Sequence, residues 1–328
     1  MPRHLKELLI VGSIAFIPSQ AFAQTSGSTS TESTRSPGAA QVDASLATPA
    51  GHEVNFGAGF YDYVEPGDTS ISIHGPKFKG GYTATILLSP NRHWFLQADA
   101  QGVLGSTTYD GWCSPFLIRP YSPSPNGYAL DIGSPSPCSE SGDTDWYLEG
   151  RALVGKDFIG QKWGWSPDVG LGVRHLSNGT NGVAGYRTDD YLYVPVAITA
   201  RTLVASHALS FSLEYDYLLH GWQRTHDSQL GGGDVPATPT APAFTIQGLS
   251  DISFAQHSGW ALRARATYQM TRRWSVEPEY IYWNVSASPV NYETATFTVN
   301  GITVQQQLGA YEPLNTTNEF VVKLGFHF

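Results

Sequence analysis

The chain has 328 residues, of which 14% are charged and 12% aromatic, with 34 glycines. That mixture is poor for a helical bundle and ordinary for a β-protein rich in glycine and aromatic residues. The formal charge is -9, and with no basic cluster to neutralise phosphates, nucleic acid is excluded as a partner.

At the N-terminus Arg3 and Lys6 precede the apolar run Leu8–Ile17, and Ala21-Phe22-Ala23 follows. This is the three-part layout of a secretory signal, expected to be cleaved after Ala23. A membrane helix needs roughly 20 apolar residues, about twice this run. Residues 1–23 therefore read as a signal peptide and 51–328 as the folded domain. Between them, residues 24–50 are rich in Ser, Thr, Gly and Ala and read as a disordered leader.

From Glu53 the sequence is a series of period-two runs, the mark of half-buried strands. The first is Glu53–Tyr63, with Val54, Phe56, Ala58 and Phe60 on one face. Gly81–Leu88, Trp94–Gly105 and Asp145–Gly155 follow. The fifth begins VGLGVRHLSNG, whose apolar face of Val169, Leu171 and Val173 continues into His175 and Ser177. Tyr191–Thr199, Leu209–Trp222, Trp260–Met270 and Trp274–Trp283 come next, and the last eleven residues close the series. Short turns are expected at Ser89–His93, Ile159–Gly164, Leu203–Ala208 and Thr271–Arg273. Long connections alternate with them: Glu65–Lys79, Asp110–Asp143, Asn178–Thr188, Gln223–His257 and Ser286–Thr317. Asn300-Gly301 inside the last is a type I′ hairpin signal.

Ten strands with one short-turn rim and one long-loop rim fit an all-β fold, an antiparallel transmembrane β-barrel with short periplasmic turns and long extracellular loops. Trp94, Trp146, Tyr191, Trp274 and Trp283 flank the strands, as interfacial girdles do. Charges opposite the apolar faces would then point inward and pair, because unpaired charge there is costly. The set is Asp99, Glu149, Arg151, Glu214, Asp216, Arg263, Arg265, Glu277 and Glu279. Such a network would fill much of a ten-strand interior, which is narrow. Cys113 and Cys138 lie in one Pro/Ser-rich segment of an exported chain, so a disulfide is expected. Their spacing suits no redox motif or metal site, and no cofactor is expected.

The final strand carries Phe320, Val322, Leu324, Phe326 and Phe328 in register. It resembles the C-terminal signal by which bacterial outer-membrane barrels are recognised for insertion. That resemblance implies an outer-membrane location, contact with membrane lipid and lipopolysaccharide, and the barrel-assembly machinery as a partner.

His175-Leu176-Ser177-Asn178-Gly179 resembles the HxSN(A/G) motif of the lipid A 3-O-deacylases. In those outer-membrane barrels the serine is the nucleophile, the histidine its base, and an acidic residue on the next strand orients the histidine. The chemistry requires this, since a serine hydroxyl is a weak nucleophile until a held base takes its proton. The family's barrels have eight strands with the motif near the C-terminus, and their acid is usually Glu. Here Asp189 has the expected offset and Asp190 the outward parity of Leu192 and Val194, and both remain candidates. The ten-strand layout also resembles the omptin proteases, which use a His/Asp pair after strand seven. His226 and Asp227 follow strand seven here and Asp110 ends strand three, without the family's Asp-x-His. The sequence thus gives a surface or structural barrel first, a lipid A acyl-ester hydrolase as the alternative, and a protease or narrow pore after that.

Overall fold

The structure, a computed structural model, describes residues 45–66, 71–89, 93–113, 116–120, 128–132, 134, 136–179, 187–229, 231–239 and 241–328. The expected signal peptide (residues 1–23), residues 24–44 of the expected leader and residues 180–186 of the expected Asn178–Thr188 loop fall outside them. Ten strands form the wall: β1 (Gly51–Glu65), β2 (Ile71–Ser89), β3 (Trp94–Cys113), β4 (Ser136–Lys156) and β5 (Gly164–Gly179), then β6 (Arg187–Val204), β7 (His207–Thr225), β8 (Gly259–Gln269), β9 (Trp274–Val285) and β10 (Asn315–His327). Each pairs antiparallel with the next, and β10 returns to β1 through Val54↔Phe326 to Val64↔Thr316, so no wall edge is left open. Closure satisfies every backbone group between strands, which a hydrocarbon environment demands.

The pleat sends alternate residues outward. Phe56, Phe78, Leu171, Val173, Val196, Leu213 and Phe320 are all exposed on the outer wall. Exposed Trp94, Trp163, Trp165 and Trp274 ring the short-turn end, and Trp222 stands near the loop end. A polar interior, an apolar outer band and aromatic girdles are the marks of an outer-membrane barrel. By the usual orientation of such barrels, the short-turn end is periplasmic.

The inside is packed across its middle and loop end, while the short-turn half holds a polar cavity of about 890 Å³ edged by Asp99, Arg151, Arg265, Glu277 and Lys323. Arg263, 1% exposed, sits at the centre of the charges, with Nε donating to Asp216 at 2.9 Å and Nη2 to Glu149. Arg151 bridges Glu214 at 2.6 Å and Asp99 at 2.9 Å, and Arg265 reaches Glu214 at 3.1 Å. Lys323 holds Glu277 and Glu279 at 2.5 and 2.7 Å. Towards the loop end Tyr193, Leu218, Ala261, Ile281, Trp283 and Val285 form a buried apolar cluster within the same wall. Gly172 makes room for it, because a Cβ there would collide with the Tyr193 ring.

Three expectations are corrected. Trp283 and Tyr191 are not girdle residues: Trp283 shares the inward parity of Glu279 and Ile281, is 2% exposed, and packs with Tyr191 in the lumen cluster. The stretch Glu65–Lys79 is not a long loop, since β2 starts at Ile71 and pairs with β1 from Glu65↔Ile71 onward. Its Gly and Pro residues suggest a loop, but Lys77 and Lys79 alternate with outward Phe78 and enter the lumen. There Lys77 meets Asp145 at 3.1 Å with Tyr61 under its ammonium, and Lys79 meets Glu319 at 3.2 Å and also Glu279. The tail of the leader, residues 45–50, is also ordered. Leu46 is buried, and the Thr48 amide and hydroxyl donate to Asp157 at 2.9 and 2.6 Å.

On one side the wall rises well past the membrane. β3 and β4 have 20 and 21 residues, against the roughly 9–11 a bilayer crossing needs. Near the tip of this hairpin Cys113 and Cys138 are disulfide-bonded, with Cα atoms 5.8 Å apart. Closing a loop of that length is worth roughly 3 kcal/mol in the chain-entropy model. Reduction is therefore expected to speed proteolysis between Cys113 and Cys138 while the barrel keeps its folded gel mobility. Equal cleavage rates before and after reduction would contradict the staple's role.

A second sheet stands on the loop end, in the order 233–235, 244–249, 291–299 and 302–310. Its hairpin turns at Asn300 and Gly301, whose φ angles of 50° and 75° are those a type I′ turn requires. On it, burial and the nearby Asp227 carboxylate push Glu293 up to about 7, and its Oε2 has no hydrogen-bond partner. A carboxyl raised on folding stabilises while protonated. Its contribution is full below the ordinary value of 4.5 and is lost as pH rises through about 7. Amide protection factors in 291–299, with the intrinsic pH dependence of exchange divided out, should fall across that window, and Glu293→Gln should flatten that profile. A pH-independent wild-type profile would count against this.

Candidate functional site

The site lies on the outside of the wall. On β5 the residues Val169, Leu171, Val173, His175 and Ser177 share the outward face, and Arg174, Leu176 and Asn178 point inward. Antiparallel register then sets the neighbours. His175 lies opposite Asp190 on β6 and Leu148 on β4. Ser177 lies opposite Thr188 and Trp146, and Asp190 opposite Trp222 on β7. Four strands thus present one outward patch where the apolar band gives way to polar residues.

His175 Nδ1 and Asp190 Oδ1 are 2.7 Å apart. A carboxylate can only accept, so Nδ1–H is the donor and Nε2 is left as the basic nitrogen. The His175 and Asp190 side chains are 40% and 57% exposed, whereas Ser177 is 0% exposed. The Trp146 ring packs on the imidazole at 5.3 Å between centroids. Asp189, one residue earlier, has the opposite parity and is buried on the inner side. Of the two acids left open by the sequence, Asp190 is the one beside His175.

The structure does not join the protease set. His226 Nδ1 is 3.7 Å from Asp251 in its own loop, and Asp110 is 3.8 Å from His74. These are separate pairs, and Asp227 lies beside Glu293 in the extra-wall sheet. No group of three or more His, Cys, Asp or Glu among the described residues is arranged to hold a metal ion.

Sequence reading missed several inner partners: Lys77, Lys79, Asp145, Arg174, Glu319 and Lys323. Arg174 stacks on the Tyr147 ring at 3.9 Å, and the Tyr147 hydroxyl donates to Glu319 at 2.8 Å. Arg174 had a legible signal, because it is the charged residue on the inward face of the fifth run.

No family model and no curated protein matches the chain. Among solved structures it is similar in outline to the outer membrane protease OmpT from Escherichia coli, at 10% identity over 86% of this chain and 98% of that one, with a TM-score of 0.48. The transport unit of the autotransporter AIDA-I from Escherichia coli matches at 8% identity, over 89% and 98% of the two chains, with a TM-score of 0.40. The translocator domain of the autotransporter NalP from Neisseria meningitidis matches at 10% identity, over 88% and 93%, with a TM-score of 0.34. These are likenesses of form, and what those proteins do is not transferred to this one. The chain itself is a closed ten-strand membrane β-barrel with a lumen blocked at its middle and loop end and an outward-facing His–Asp pair beside a serine.

Proposed function

We propose that the barrel is an acyl-ester hydrolase of the outer leaflet, acting on the ester-linked chains of lipid A. The observation that supports this most is the 2.7 Å pairing of His175 with Asp190 on the lipid-facing wall, with Ser177 on the same face two residues on. In this reading Ser177 Oγ attacks the acyl carbonyl and His175 Nε2 takes its proton. Asp190 fixes the tautomer and stabilises the imidazolium. The acyl group passes to Ser177 as the sugar hydroxyl leaves with the proton from His175, and water then releases the fatty acid.

The position of the set argues for a lipid substrate. Outward Leu148 beside His175, with Val173 and Leu192 one step below, offers an apolar track to an acyl chain. A water-soluble substrate would gain nothing from it. The buried ion pairs and apolar cluster that block the middle and loop end of the lumen favour this reading over a diffusion pore.

The test is release of free hydroxy fatty acid from lipopolysaccharide vesicles by refolded protein. Release by wild type and none by a folded Ser177→Ala variant supports the reading. Equal release by both, or none by either, removes it.

A further inference from the structure

We propose that Trp146 is the positioning residue of this site and the cover over its nucleophile, an inference that rests on the hydrolase reading above. Cross-strand register sets Trp146 opposite Ser177. The indole also lies 5.3 Å from the His175 ring, with the planes at 50°. Ser177 is 0% exposed although it stands on the outward face, while the His175 and Asp190 side chains on the same patch are open.

Directly opposite residues of an antiparallel pair hold their Cβ atoms about 4.5–5.5 Å apart. An indole at that distance is long enough to touch both a serine and the histidine next to it. The neighbour on the other side, Thr188, is short, and its hydroxyl is 3.3 Å from His226 Nε2. Among the described neighbours Trp146 is the large side chain opposite Ser177, and on this proposal it is the cover.

Two consequences follow for the chemistry. With the imidazole packed at an angle against the indole and Nδ1–H on Asp190, His175 is held in a single orientation, with Nε2 left for the serine proton. In addition, the hydroxyl is screened from electrophiles arriving from water. At the membrane interface tryptophan rings are comfortable among headgroups and acyl chains. There the ring swings into lipid and the ester of an acyl chain takes its place. The cover selects membrane-held acyl esters over soluble ones.

The test uses full-length refolded protein and a small water-soluble fluorophosphonate. Ser177 Oγ would attack phosphorus, the P–F bond would break with loss of fluoride, and the proton would pass to His175. Mass spectrometry of the Ser177 peptide reads the labelling rate, and fatty-acid release from lipopolysaccharide vesicles is measured in parallel. Trp146→Ala should label several-fold faster than wild type yet hydrolyse lipid about tenfold more slowly. Trp146→Phe should restore both values in part, which a general loss of stability would not do. Equal labelling in wild type and Trp146→Ala, with lipid turnover unchanged and labelling still abolished by His175→Ala, would overturn the role of Trp146 and leave the hydrolase standing. Absence of Ser177 labelling in every variant would overturn the hydrolase reading and the cover with it.

Discussion

Arg263→Ala is expected to lower the stability of the folded barrel by about 3–5 kcal/mol, the cost of leaving buried charge uncompensated. Arg263 is in contact with Glu149, Glu214 and Asp216 together, and all four are buried. Its loss strands carboxylates from two strands, β4 and β7, in a space with no bulk water to receive them. The readout is the detergent-denaturation midpoint followed by folded gel mobility. Restoring part of the midpoint with the additional changes Glu149→Gln and Asp216→Asn would assign the loss to charge instead of packing. An Arg263→Ala protein as stable as wild type would mean that the network is solvated and the lumen open.

The second large effect concerns the outward patch. On the hydrolase reading proposed above, Asp190→Asn is expected to lower lipid hydrolysis by roughly 10⁴-fold, the cost of the wrong histidine tautomer in a serine triad. The variant should still fold, because Asp190 is an exposed rim residue. Asp189→Asn should leave turnover unchanged, since its side chain is buried on the opposite face. The pair of variants separates a catalytic acid from a general requirement for charge at this height. If Asp189→Asn abolished turnover and Asp190→Asn did not, β6 would have to present its other face to the lipid.

Much of this architecture is legible in the sequence, for a physical reason. Lipid outside and polar side chains inside impose a strict period of two, so Val169, Leu171 and Val173 mark their strand by their spacing alone. The short turns are legible because closure leaves little chain to spare at that rim. Less is legible where two signals compete. Gly75, Pro76, Gly80 and Gly81 punctuate β2 like a loop, yet Pro76 takes a ladder position opposite Phe60 and the glycines stay in register. Reading that stretch as a loop hides Lys77 and Lys79, and so two of the cations in the lumen.

The leader shows a different limit. Its composition is that of a disordered segment, and Leu46 and Thr48 differ from their neighbours only in finding Gly164 and Asp157 at the short-turn rim. That is a tertiary contact, invisible to composition. At the candidate site the motif and its face are legible, but the choice of acid is not. Offset favours Asp189 and parity favours Asp190, and only the pairing of His175 with Asp190 across β5 and β6 decides between them.

The most direct measurement is the mass spectrum of lipid A after incubation with refolded wild type, beside Ser177→Ala refolded to the same gel mobility. Loss of the mass of one hydroxyacyl chain with wild type only would make the outward patch of β5 and β6 an active site. Intact lipid A from both proteins would reduce His175, Ser177 and Asp190 to polar residues at the rim of a structural barrel.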